Sequence, residues 1–171
     1  MSKITFSEYL RKWGFKSIRL NTFFGNVEFT PIEDDQTCAW DMYVELITRI
    51  TTQTLAPDSG DEKTALDSVH SLFKSTRTVL KEKGRNAPNF TRIAIIILNQ
   101  IIRPFTAKWH KNSLLGYLDL ETGKKEFRED LKLLQIDLKN YTRMLADMAK
   151  VEDLTDVIED TNIDSSEETN R

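Results

Sequence analysis

The feature that most constrains this chain is a run near its C-terminal end. Phe127, Leu131, Leu134, Leu138, Tyr141, Leu145 and Met148 follow one another in alternating steps of four and three. That spacing predicts a long helix with one apolar stripe, packed at a shallow angle within a bundle or against a second chain. Most helical stability comes from packing such a stripe, so the rest of the sequence must supply its partners.

Three other segments carry the same signal. From Asp35 to about Leu55, Ala39, Tyr43, Leu46 and Ile50 form a stripe with Trp40, Val44 and Ile47 beside it, the pattern of a helix packed on two sides. After the break APDSGD, a second helix turns Ala65, Val69, Leu72, Phe73, Thr76, Val79 and Leu80 inward and stops at Gly84. A third runs from Asn89 through IAIIILNQII, apolar nearly all round and therefore central, with Asn99 needing a buried partner. Pro104 should kink or split it, because proline lacks a donor and clashes with the preceding turn. Towards the N-terminus, TFSEYLRKWGF reads as a short helix with Ser7 as its cap, Tyr9, Leu10 and Trp13 inward, and Gly14 as its stop. The β-branched and aromatic residues of KSIRLNT and VEFTPI, flanking FFGN, predict a β-hairpin over 17–32. The expected fold is mainly α: an antiparallel four-helix bundle over residues 1–150, with a short N-terminal helix and a β-hairpin packed on it.

Charge separates residues 151–171 from the rest. That stretch holds eight acidic residues and one basic, a net −7, which leaves +4 for residues 1–150 out of a total of −3. It is read as an acidic, disordered tail. Leu154, Val157 and Ile158 have the spacing to form one helical turn on a partner, or else a frayed helix end. The basic balance of the folded part is too mild to assign nucleic-acid binding by itself. No segment approaches the ~20 apolar residues of a membrane span, and the first residues lack an apolar leader core. The lone Cys38 suits a reducing compartment, so a cytoplasmic protein without membrane contact is expected.

Phosphate-binding, zinc-protease and nucleophile-elbow motifs do not occur. His70 and His110 are the only imidazoles, so no metal site is assigned, and Cys38 reads as a small packed thiol. No cofactor and no catalytic residue is assigned. Asp41, Glu45 and Arg49 recur every four residues along one helix edge. They form either a solvated face with an i, i+4 ion pair or a partly buried network reaching Arg77, Arg103 or His110 from neighbouring helices. In IIRPFTAKWHK, Trp109 reads as a core anchor, while Arg103, Lys108 and His110 read as a polar cluster tied to Glu45 or to helix ends, or as a site for an anionic group.

Three blocks also carry a resemblance: AWDMYVELITRITTQ, LDSVHSLFKSTRTVLKEKG and ILNQIIRPFTAKWHK. Through the patterns W-x-x-Y-V-E-L-x-T-R, S-L-F-x-x-T-R and R-P-x-x-x-K-W-H, residues 18–150 resemble a group of small helical bacterial proteins associated with multi-gene conflict and antiviral defence systems. The resemblance implies an accessory role and no particular reaction. It marks Glu45, Arg49, Arg77, Arg103, Lys108, Trp109 and His110 as the positions matching the group's motif letters. The resulting expectation is a non-enzymatic subunit that docks on a larger protein encoded nearby, with self-association through the 127–148 face as an option. Two alternatives stay open: a nucleic-acid or nucleotide binder using Arg77, Arg92, Arg103, Lys108 and Lys111 on phosphates, and an enzyme built on Glu45, Arg49 and His110.

Overall fold

The computed structural model describes residues 4–49, 52, 55 and 60–157. The long heptad helix is α7, Glu121–Ala149, and every residue of its stripe from Phe127 to Met148 is buried. That stripe lies inside the chain's own core, chiefly against α3 (Glu33–Ile47), so it is not free to pair with a second copy. Against α3 also lie α4 (Glu62–Glu82) and α5 (Pro88–Ile96), and α6 (Arg103–Leu114) packs on α4.

The mainly helical reading holds, but the hairpin does not: among the described residues there is no β-strand. Asn21 explains why. Its side chain accepts the Phe24 N–H at 2.9 Å and caps a short helix, α2 (Thr22–Gly25), where a turn was expected. The segment after α2 then pairs with the N-terminus, with Phe6 N donating to Val27 O at 2.8 Å and Phe29 N to Ile4 O at 2.9 Å around a single antiparallel bridge between Thr5 and Glu28. The segment before α2 is held differently, by the Gln100 side-chain amide, which accepts from Arg19 N at 2.8 Å and donates to Arg19 O at 2.9 Å. β-propensity describes fitness for a half-buried pleated surface, and here neither half finds the other as its neighbour.

Helix ends follow local chemistry. Thr5, not Ser7, caps α1 (Phe6–Lys12): its hydroxyl accepts the Glu8 N–H while the Glu8 carboxylate accepts the Thr5 N–H at 2.7 Å. Pro88 occupies the first turn of α5. Pro104 is accommodated without a break by a π-helical turn over Ile97–Ile102, in which Arg103 N reaches back five residues to Leu98 O. Asn99, expected to need a buried partner, is exposed and bonds to Ile95 O within its own helix. Gly123 is required where α7 starts, since a Cβ there would lie 1.9 Å from Tyr117 O.

The first residues of the acidic stretch lie against the helices. Leu154 N donates to the Tyr43 hydroxyl at 2.9 Å, Arg143 pairs with Asp156 at 2.5 Å, and Thr155 is buried. Residues 158–171, the remainder of the stretch read as a tail, are outside the described residues. So is Ile50, and α3 itself ends at Ile47.

Candidate functional site

The buried stripe of α3 is Asp35, Cys38, Ala39, Met42, Tyr43 and Leu46. Trp40 and Val44, expected beside the core, point away from it and are 47% and 37% exposed. The side of α3 they occupy faces α4 across a groove of about 650 Å³. Glu45 and Arg49 lie one turn apart along it.

Within the groove the two charges meet α4. The Arg49 guanidinium bonds to the Glu45 carboxylate and to the Ser71 hydroxyl, and donates to the Ser75 hydroxyl at 3.0 Å. Ser75 in turn donates to Glu45 at 2.7 Å, and Ser71 to Ser68 O at 2.6 Å. Both terminal nitrogens of the guanidinium are therefore engaged, which fixes the Arg49 rotamer. The Ser75 hydrogen bond, seconded by Arg49, holds the Glu45 carboxyl below its ordinary range against the opposing effect of burial. The network is not sealed: the Arg49 side chain is 27% and the Glu45 side chain 39% exposed. Asp41, which also lines the groove, pairs with Lys83 of the α4 C-cap at 2.6 Å.

This pairing corrects the expectation that Glu45 and Arg49 reach Arg103 or His110. Those residues lie beyond α4, around Phe73. The Arg103 guanidinium sits 5.1 Å from the Phe73 ring centroid and donates to Asn99 at 2.9 Å. Arg77 donates to Phe73 O at 3.2 Å. The His110 ring meets His70 edge-on at 4.8 Å between centroids, and its Nε2 is buried without a hydrogen-bond partner among the described residues.

Lys108 and Trp109 belong to a third place, the packing of α6 on α7. Trp109 is fully buried, in edge contact with Phe127 at 5.1 Å and stacked on Tyr117, and its indole N–H donates to Asp130 at 3.0 Å. Lys108 bonds to Asp130 at 2.7 Å and Glu126 at 2.8 Å, and these two contacts raise its pKa. The core-anchor reading of Trp109 is what the geometry shows. Arg92 lies elsewhere again, on α5, so the cations grouped as a possible phosphate-binding set do not gather in one place: Arg77 and Arg103 lie around Phe73, Lys108 at the α6–α7 packing and Arg92 at the α2–α5 side.

Cys38 is fully buried, and burial seconded by Asp41 pushes its thiol up to about 11. Among the described residues no group of three or more His, Cys, Asp or Glu side chains is placed to hold a metal ion. No helix among them is long and apolar enough to cross a membrane.

The residue that sequence reading missed is Asp35. It is fully buried, and its carboxylate accepts from Asn89 N and Phe90 N at 2.9 Å, from Asn89 Nδ2 at 2.8 Å and from Ile32 N at 3.0 Å. One side chain thus caps its own helix and, from outside, the N-terminus of α5. It fixes the frame on which the α3 groove is built. Its signal is its place on the buried stripe, one turn before Cys38 and Ala39.

Compared with models of known protein families, with curated proteins and with solved structures, the chain matches none.

Proposed function

We propose that the protein is a helical accessory subunit of the cytoplasm that docks on a larger protein partner, and that the α3–α4 groove is the docking surface. One observation carries this reading. A half-exposed Trp40, with Val44 one turn on, lines the same groove as an arginine whose rotamer is set by Glu45, Ser71 and Ser75. Tryptophan and arginine are the residues most enriched among interface anchors, and a side chain already ordered loses little entropy on binding. The groove also unites letters of two of the three resemblance blocks: Trp40, Val44, Glu45 and Arg49 from the first, Ser71 from the second. That resemblance supports a setting in bacterial antiviral defence and a partner encoded by a neighbouring gene. The test is co-expression with the products of adjacent genes: a specific product should be captured by the parent and released by Trp40→Ala, whose melting temperature should match the parent's.

A further inference from the structure

The corrected hairpin region leaves a second concave surface, between α2 and α5. It is a groove of about 340 Å³ whose floor and walls include Phe6, Leu20, Phe24, Ile95 and Ile96. Phe24 is 43% and Ile95 47% exposed, and Phe23, 77% exposed, stands against Phe24. The wall is fixed from both ends: Gln100 clamps the Arg19 backbone, and Asn21 caps α2. Apolar side chains held in the open by a clamped backbone mark an interaction surface more strongly than scattered exposed residues do.

The rim of this groove is cationic. Arg19 and Arg92 both border it, and among the described residues neither guanidinium has an acidic partner. We infer that the α2–α5 groove binds an acidic amphipathic helix of a protein partner, with its apolar side chains against Phe24 and Ile95 and its carboxylates on Arg19 and Arg92. An apolar floor asks for aliphatic or aromatic side chains at i, i+3, i+4 and i+7, and two guanidinium groups at the edge ask for carboxylates flanking them. A nucleic-acid strand fits less well, since it would lay phosphates and sugars along a floor with almost no hydrogen-bonding groups. The surface is separate from the α3–α4 groove, so either reading can fail without the other.

The probe is a fluorescein-labelled peptide of about 16 residues with leucines at helix-in-groove spacing and glutamates on the remaining face, followed by anisotropy. Two control peptides replace every Glu by Lys or every Leu by Ser, and a labelled oligothymidylate and anionic vesicles complete the set. Saturable binding of the acidic peptide is expected, weakened about tenfold or more by the double variant Arg19→Glu, Arg92→Glu and by either peptide control, and strengthened at low salt. Phe24→Ser should weaken it as well, while Trp40→Ala should leave it unchanged. All variants should keep the parent's melting temperature, because none of the altered side chains belongs to the buried core. No saturable binding, equal binding of the Lys peptide, indifference to the arginine variant, or binding of the oligonucleotide or vesicles in place of the peptide would each overturn the inference.

Discussion

Asp35 and Glu45 are carboxylates on the same helix, yet the chain uses them in opposite ways. Asp35 is fully buried and is satisfied by four N–H donors from two helix N-termini, whereas Glu45 shares one serine and one arginine at the edge of an open groove. A buried acceptor that several backbone donors depend on is part of the frame. A partly exposed ion pair contributes little to stability, because water and salt screen it and two long side chains must be ordered. An ordered but part-exposed charge network therefore needs a reason other than stability, and recognition is one.

Asp35→Ala should show the largest effect. Several buried N–H groups lose their acceptor at about 1–3 kcal/mol each, for a total of about 3–5 kcal/mol once partial relaxation is allowed. For a chain of this size that lowers the melting temperature by roughly 10 °C. Asp35→Asn, which keeps the shape and one acceptor oxygen, should fall between parent and alanine variant. If Asp35→Ala melts with the parent, the contrast with Glu45 collapses.

Trp109→Phe should come next. It keeps much of the apolar contact with Phe127 and Tyr117 but removes the donor to Asp130 and leaves a void, for an expected loss of about 1–2 kcal/mol by denaturant unfolding. The surrounding bonds from Lys108 to Asp130 and Glu126 are at the surface and should add little when removed.

Arg49→Ala should cost less than about 1 kcal/mol, in contrast to the larger loss expected had the pair been buried with Arg103 and His110. The pH dependence sharpens this. Glu45 is held below its usual value of 4.5, so its stabilising contribution is complete above that pH and is lost as the pH falls through the lowered folded value. The small stability gap between parent and Ser75→Ala should accordingly be present at neutral pH and shrink as the pH falls below 4.5. A gap that widened on acidification would contradict the assignment.

Much of the helical framework was legible because periodicity reports which face of a long helix is buried, and α4 and α7 have unbroken stripes. The region from Lys16 to Thr30 was not, because its pairing depends on residues distant in sequence: Ile4 and Phe6 on one side, Gln100 on the other. No local pattern encodes such partners. The same limit explains the site. The Glu45–Arg49 spacing was visible, but which neighbouring helix would face it was a question of rotation about α3, and the answer was Ser71 and Ser75, two residues with no distinguishing signal of their own. Trp40 and Val44 were read as core because they are large and apolar; only the packed structure shows that the described residues leave them part-exposed.

The claim that the α3–α4 groove is for binding and not for stability is tested most directly by measuring one variant in two ways. Trp40→Ala, co-expressed with the products of adjacent genes and melted on its own, should lose the partner that the parent captures while its melting temperature stays within about 2 °C of the parent's. Retained capture by Trp40→Ala, with the partner bound as tightly as by the parent, would contradict the account.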